Sequence, residues 1–170
     1  MTGVALSVVL QASLSISATP TLAEAVKISE ASGKPILVMV GADWCRYCKV
    51  VEQTAMPQIT KSGLLEKVVY VYLDYDKDRK LVTPLLEGDV IPELIVLRKS
   101  GDRWTRDNLG GMEMFTPYQA GRQQEVKFAT IESFIKSAVA EKAAAEEGTP
   151  ATEEGTPATA SNAAAKPAGN

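Results

Sequence analysis

The sequence predicts an α/β fold in which helices flank a central mixed β-sheet. After one leading helix, strand-like and helix-like segments follow in the order βαβαββα, which is typical of a sheet covered by helices. Residues 35–41, PILVMVG, form a continuous apolar run of strand length, which indicates a strand buried on both faces. With 170 residues, 45% of them hydrophobic and 23% charged, the chain can form one domain with a substantial core.

The first half of the predicted domain holds a helix, the buried strand and a second helix. Residues 21–33 carry apolar side chains at helical spacing, and Gly33 is a typical helix stop. The strand over 35–41 follows. Residues 45–56 again predict a helix, and Pro57 either ends it or begins its next turn.

The second half predicts three further strands and a closing helix. The stretch 63–76 predicts a helix end followed by a β-rich strand, and a short helix interrupted by Pro84 is expected within 79–88. Residues 91–111 predict two strands joined by a turn at the sequence KSGD. Residues 127–145 predict an amphipathic helix, with an apolar stripe of Phe128, Ile131, Phe134, Ile135 and Val139.

Residues 1–18, MTGVALSVVLQASLSISA, are apolar and small and contain no lysine or arginine. Their length fits the core of an export signal cleaved after Ala18, but the positive charge that normally precedes such a core comes only from the terminal amine. The serines and Gln11 make the segment too polar and too short for a typical membrane span. We expect a signal peptide or an N-terminal extension. A membrane anchor and a cytoplasmic extension are the alternatives.

Residues 146–170 have the composition of a disordered tail. The heptapeptide EEGTPAT at 146–152 repeats unchanged at 153–159, and large apolar residues are almost absent. Such a segment cannot bury enough surface to offset the entropy lost on ordering. It contains four glutamates and one lysine, so it carries the whole formal net charge of −3 and leaves the body of the chain near neutral. We expect an inert acidic spacer rather than a binding motif.

The composition excludes several kinds of functional site. The chain has two cysteines and no histidine, so it cannot supply the four Cys or His ligands of a usual structural zinc site, and we expect no metal. The lack of histidine also removes every Cys–His and Ser–His nucleophile pair. The sequence shows no basic stripe of the kind that nucleic-acid binding normally needs, so we expect no nucleic-acid partner.

The two cysteines, Cys45 and Cys48, follow the buried strand and begin a predicted helix, which is the context in which Cys-x-x-Cys indicates redox activity. At a helix N-terminus, free N–H groups and the helix dipole favour a Cys45 thiolate, which is the reactive form. Arg46 would add favourable charge. Cys48, nearly one helical turn later, is close enough to form a disulfide and is expected on the more buried side. The alternatives are an inert structural disulfide and a metal site shared across a dimer.

The stretch ILVMVGADWCRYCK resembles the active-site strand, loop and helix of the thioredoxin family, including Trp44 before the first cysteine. DVIPELIVL resembles the family's loop with a cis-proline, which carries over to Pro92. The resemblance implies that Pro92 packs beside the cysteines, that the backbone of Ile91 receives a substrate peptide, and that Gly110 and Gly111 border the groove. It covers roughly residues 20–142, within an expected thioredoxin-like domain at 19–145, and is nearest to the extracytoplasmic branch.

Four features depart from the family pattern. Thioredoxins carry a buried aspartate six residues before the first cysteine, and Met39 stands there in this chain. The dipeptide between the cysteines is Arg-Tyr instead of Gly-Pro. Glu93 replaces a frequent threonine and is expected to place a negative charge beside the groove. Residues 112–128 are longer than usual before the last helix, and Phe115 and Tyr118 within them are expected to cap the groove. These departures favour a restricted set of partners.

Together, these observations predict a thiol–disulfide oxidoreductase that acts on protein disulfides and works as a reductase. Cys45 would attack and Cys48 would resolve the mixed disulfide, with no metal or cofactor. Partners would be protein dithiols or disulfides and an electron donor or acceptor of unknown identity. We expect a monomer outside the cytoplasm, periplasmic or secreted, with membrane contact only if residues 1–18 are not cleaved. The alternatives are a cytoplasmic location and a non-catalytic binding or chaperone module with a structural disulfide.

Overall fold

The computed structural model describes the backbone of residues 19–147 and the side chains of residues 19–141. The expected N-terminal segment 1–18 and residues 148–170 of the expected tail lie outside this range. The last helix runs to Glu147 and so includes the first two residues assigned to the tail. No helix within residues 19–147 is long and apolar enough to cross a membrane.

Helices and strands alternate in the predicted order. The elements are α1 (Leu22–Ser32), β1 (Ile36–Gly41), α2 (Arg46–Val50), a π-helical segment (Val51–Ala55), α3 (Met56–Lys61), a 3₁₀ turn (Leu65–Lys67), β2 (Val69–Asp74), α4 (Arg79–Val82), β3 (Glu93–Ser100), β4 (Arg103–Gly110), α5 (Gly111–Met114) and α6 (Phe128–Glu147). The short helix α5 and the π-helical segment were not expected from the sequence, and the 3₁₀ turn lies where a helix end was expected.

The four strands form one mixed sheet in the order β2-β1-β3-β4. β1 runs parallel to β2 and antiparallel to β3, and β3 pairs antiparallel with β4. All six residues of β1 are buried, as its unbroken apolar run predicted, because the strand is central and covered on both faces. The predicted fold class, a mixed sheet flanked by helices, is confirmed.

Each face of the sheet packs against its own set of helices. The face formed by Leu37, Met39, Leu94 and Val96 is the cysteine face. It packs against the π-helical segment, α3, α5 and α6, and both cysteines belong to this cluster. The far face, formed by Ile36, Val38, Val40 and Ile95, is covered by α1 and by the stretch around α4. Ile131 and Ile135 of α6 are fully buried on the cysteine face, which confirms the core of the predicted apolar stripe.

The ends of α1 follow directly from its sequence. The Thr21 side chain accepts a hydrogen bond from the backbone N–H of Glu24, and the Glu24 carboxylate accepts one from the N–H of Thr21, which completes a capping box. Gly33 ends the helix in the left-handed region at φ 67°, where its N–H donates to the carbonyl of Ser29. The predicted helix stop at Gly33 is confirmed.

Pro57 does not end the second helical stretch, which continues without a break from Arg46 to Lys61. A proline ring inside a helix clashes with the carbonyl four residues earlier and lacks an N–H to donate. Here the π-helical segment precedes it, with the Met56 N–H donating to the carbonyl of Val51, and Pro57 lies in the first turn of α3. The wider turn thus occurs where the proline needs space, and Pro57 begins a new turn.

Candidate active site

Cys45 and Cys48 form a disulfide at the junction between β1 and α2, with their Cα atoms 5.3 Å apart. Cys45 is the N-cap of α2, and its backbone N–H donates to the carbonyl of Ala42. Cys45 is 5% exposed and Cys48 is 0% exposed. The expected asymmetry, in which Cys48 lies deeper than Cys45, is therefore present.

The sulfur of Cys45 lies at the start of a helix. The backbone N–H of Cys48 donates to Sγ of Cys45 at 3.1 Å, so the helix directs one of its free donors at this sulfur. A thiolate formed there on reduction would keep a hydrogen-bond donor and the favourable end of the helix dipole. Arg46, the next residue, is exposed, and its predicted influence on Cys45 stays a prediction.

Trp44 is 66% exposed and held in one orientation by the loop that follows β2. Its indole N–H donates to Oδ2 of Asp76 at 2.7 Å, and its ring meets Tyr75 edge to face with the centroids 6.3 Å apart. Lys77 stabilises the same loop through two salt bridges, since its ammonium lies 2.9 Å from Asp74 and 3.5 Å from Asp43. Hydrogen bonds from the backbone and side chain of Lys77 hold the pKa of Asp74 below its usual value.

The peptide bond between Ile91 and Pro92 is cis, and Pro92 is buried. Ile91 packs against the cluster that contains both cysteines. A Cβ on Gly111 would lie 3.1 Å from the carbonyl oxygen of Pro92, so a side chain at 111 would crowd this loop. The fold thus brings the Ile91–Pro92 segment and Gly111 together at one edge of the core.

Glu93 does not lie where the sequence placed it. Its side chain is 1% exposed and points to the far face, alongside Ile95. Its Oε1 accepts hydrogen bonds from the backbone N–H of Glu87, at 3.1 Å, and from the side-chain amide of Asn108. Residues on a strand alternate between its faces, so the residue after Pro92 on this strand faces away from the groove. The expectation of a negative charge beside the groove is wrong.

Tyr47, between the two cysteines, contacts the long segment 112–128. Its ring packs edge to face on Phe115, with the centroids 5.0 Å apart, and its hydroxyl donates to Oε1 of Gln124 at 2.8 Å. Phe115 is buried and pairs with Val126 in an isolated β-bridge, so it packs inside the domain, whereas Tyr118 is 76% exposed. Nothing in the sequence pattern alone indicated that Tyr47 would anchor this segment.

The position of the family's buried aspartate is occupied by Met39, which is fully buried. Its neighbour across the parallel pair is Tyr72, and the hydroxyl of Tyr70 donates to its sulfur at 3.7 Å. Within residues 19–147, no group of three or more Cys, Asp or Glu side chains is arranged to hold a metal ion.

Comparison with known proteins agrees with the site geometry. Residues 17–99 match a family model described as thioredoxin-like. A solution structure of a thioredoxin from Thermus thermophilus superposes with a TM-score of 0.56 at 19% identity, and the match covers 75% of this chain and 90% of that one. Trxlp from Edwardsiella tarda matches with a TM-score of 0.49 at 21% identity, covering 68% of this chain and 95% of that one. Among curated proteins, no sequence matches this chain.

The likeness to the Thermus structure, at 19% identity, shows the fold alone. The family-model match, the fold and the Cys45–Cys48 pair together place this domain in the thioredoxin-like family. A CxxC disulfide on this fold supports thiol–disulfide oxidoreductase chemistry in general, with protein disulfides as the substrates on which such proteins act.

Proposed function

We propose that this protein is a thiol–disulfide oxidoreductase that reduces disulfides in partner proteins. The Cys45 thiolate would attack one sulfur of a partner disulfide, which forms a mixed disulfide and releases the other partner sulfur as a thiolate that takes up a proton. Cys48 would then lose its proton and attack Sγ of Cys45. This step restores the Cys45–Cys48 disulfide and releases the second partner thiol, and an electron-donor dithiol would return two electrons to the pair.

One observation supports the proposal most strongly: the two sulfurs differ in their burial and in their hydrogen bonding. Cys45 caps the helix and receives the N–H of Cys48, whereas Cys48 is fully buried behind it. An attacking thiol must reach the partner and be stable as a thiolate, and a resolving thiol must be close to it but shielded from other partners. The arrangement matches this division of roles.

The surrounding residues would position the partner and stabilise the thiolate of the attacking cysteine. We assign the exposed face of Trp44 and the loop at Ile91 and Pro92 to binding a partner peptide, and Arg46 to stabilising the Cys45 thiolate. Trp44 is exposed and orientated by Asp76, which suits a contact surface. An aromatic ring fixed before contact loses little conformational entropy when a partner binds.

The test is to trap partners with Cys48→Ala. If Cys45 attacks partner disulfides, this variant should accumulate mixed disulfides that dissolve on addition of dithiothreitol. The matched control, Cys45→Ala, keeps a cysteine but lacks the attacking one and should trap none. Adducts are measured on non-reducing gels and identified by mass spectrometry. If neither variant forms adducts in its native cells, the cysteine pair does not turn over.

The reductase direction rests on the branch that the sequence resembles, and the reduction potential of the pair tests it. Known relatives range from about −270 mV for thioredoxin to about −120 mV for a strong bacterial oxidant. Equilibration with defined dithiothreitol or glutathione buffers should give a value near the lower end. A value near the upper end would make the protein an oxidase or isomerase. A pair that resists mild reduction would favour the alternative, a binding module with a structural disulfide.

We also propose that the protein acts outside the cytoplasm. Support comes from the apolar, small-residue composition of residues 1–18. Cell fractionation combined with the mass of the mature chain tests this proposal. A mature form that begins at Thr19 supports export, and an uncleaved chain in the cytosolic fraction contradicts it.

A further inference from the structure

Cys48 must lose a proton whenever it attacks Cys45, and its surroundings restrict how this happens. The residue is 0% exposed, so its thiol has no direct contact with bulk water. Met39, which lies on the same face of the sheet, carries no group that can accept a proton. Burial in apolar surroundings also disfavours a thiolate. A polar group near Cys48 is therefore needed to make the resolving step fast.

A polar group that lies close to Cys48 is the hydroxyl of Tyr72, on β2. Gly41 has no side chain, and a Cβ built on it would lie 2.8 Å from Oη of Tyr72 and 3.3 Å from Cβ of Cys48. The phenol hydroxyl and the side chain of Cys48 thus both come close to the position that a Cβ at residue 41 would occupy. Gly41 is needed for this approach, because any larger residue would push the hydroxyl away.

Tyr72 also borders a cavity of about 390 Å³, and Glu52 lines the same cavity. Glu52 follows Cys48 by four residues, about one turn along the same helical stretch, and is exposed to solvent. It can therefore exchange protons with bulk water. Tyr72 and Glu52 thus line one pocket that opens to solvent.

The electrostatics of this region agree with the geometry. Burial and then the charge of Glu52 raise the pKa of Tyr72 to about 12, so the phenol keeps its proton at neutral pH and can donate a hydrogen bond. Burial and then the charge of Asp43 raise the pKa of Glu52 above its usual value. This carboxylate therefore accepts a proton more readily near neutral pH than an ordinary glutamate does. The other ionisable groups that act on these two residues are Lys49, Asp74 and Lys77, and Tyr70 lines the same cavity.

We propose that the Tyr72 hydroxyl hydrogen-bonds the sulfur of Cys48 in the reduced protein and that Glu52 receives the proton Cys48 loses. This inference rests on the proposed function. In the resolving step the S–H bond of Cys48 breaks, the Tyr72 oxygen takes up that proton, and the proton that Tyr72 already carried passes to the Glu52 carboxylate. The freed electron pair attacks Sγ of Cys45, the Cys45–Cys48 bond forms, and the partner leaves as a thiolate. Tyr72 is the proton relay, and Glu52 is the final proton acceptor.

The experiment follows the reduced protein after rapid mixing with 5,5′-dithiobis(2-nitrobenzoate) at 412 nm. The first released thionitrobenzoate reports the attack by Cys45, and the second reports the attack by Cys48 on the resulting mixed disulfide. Tyr72→Phe and Glu52→Gln should each slow the second phase by about tenfold or more. Both should shift its pH profile upward and leave the first phase within about twofold of the wild type.

Two further variants make the outcome decisive. Tyr70→Phe removes a hydroxyl from the same strand and cavity, one that contacts Met39 instead of Cys48, and should leave both phases unchanged. Gly41→Ala should slow the second phase like Tyr72→Phe, because the new methyl group displaces the hydroxyl. Since Glu52 is exposed, Glu52→Gln is expected to fold even if a core variant does not.

The possible failures are distinguishable. If the wild type shows a first phase and its second phase is unaffected by Tyr72→Phe and Glu52→Gln, the assignment of these residues is overturned and the proposed function stands. If the reduced wild type releases no thionitrobenzoate in either phase, Cys45 is not an attacking thiol, and both proposals are overturned. A change of rate without a change of pH profile would show a packing role and would also overturn the proton-transfer assignment.

Discussion

Replacing Glu93 with alanine tests the buried position that the structure gives to this side chain. Its Oε1 accepts hydrogen bonds from the side-chain amide of Asn108 and the backbone N–H of Glu87. The amide is half-buried and also donates to the carbonyl of Leu85, so Glu93→Ala removes one of its two acceptors, at a cost of about 1–3 kcal/mol. Glu87 lies in an exposed stretch, where an ordinary hydrogen bond is worth about 1 kcal/mol. Glu93→Ala should therefore lower the free energy of unfolding by about 2–4 kcal/mol.

Glu93→Gln is the matched variant, because both donors meet the same oxygen and glutamine retains an oxygen there. It should lose less than about 1 kcal/mol. Urea unfolding of the oxidised protein, followed by circular dichroism, measures both values. A loss of about 2–4 kcal/mol moves the midpoint by about 1–2 M at a slope of about 2 kcal/mol per M. If alanine leaves the midpoint unchanged but alters turnover, Glu93 lies by the groove after all. If glutamine costs as much as alanine, the negative charge and not the oxygen matters.

Three further changes test other parts of the structure. Thr21→Ala removes the capping box of α1 and should lower the free energy of unfolding, measured in urea, by about 1 kcal/mol. Thr21→Ser keeps the capping hydroxyl and should retain most of that stability. Ile131→Ala, at a fully buried position of α6, should cost about 2–5 kcal/mol, and Ile131→Val only about 0.5–1.5 kcal/mol. Because the pKa of Tyr72 is raised to about 12 by burial, the folded state holds this proton more tightly than the unfolded chain, whose phenols titrate near pH 10. Stability should be complete below about pH 10 and fall as the pH rises towards 12, and Tyr72→Phe should make the fall in urea midpoint between pH 9 and 11 less steep.

Much of the fold follows from local patterns in the sequence. The continuous apolar run of β1 predicts a central strand, and the spacing in α6 predicts which side chains enter the core. Gly33 and the capping residues define α1. These features depend on interactions within a few residues or on burial alone, so periodicity and propensity are enough to find them.

Other features depend on contacts or local geometry that the sequence pattern left open. Pro57 could end a helix or begin its next turn, and it begins a turn directly after a π-helical segment. Glu93 was misplaced because its burial goes with hydrogen bonds from Asn108 and Glu87, and neither donor is its neighbour in the sequence. The pairing of Tyr72 with Met39 depends on the register between two strands more than 30 residues apart, and the sequence alone did not give that register.

The cysteine pair was predictable, but the structure that surrounds it was less so. Tyr47 joins the dipeptide between the cysteines to the segment 112–128 through Phe115 and Gln124. That segment is held together by its own contacts, since the side-chain amide of Gln124 also donates to the carbonyl of Thr116. A partner that approaches Cys45 would therefore meet the segment 112–128 beside Tyr47 and the orientated ring of Trp44. Because both are held by hydrogen bonds before contact, we expect them to disfavour partners of a different shape, and the restricted partner set stays a prediction.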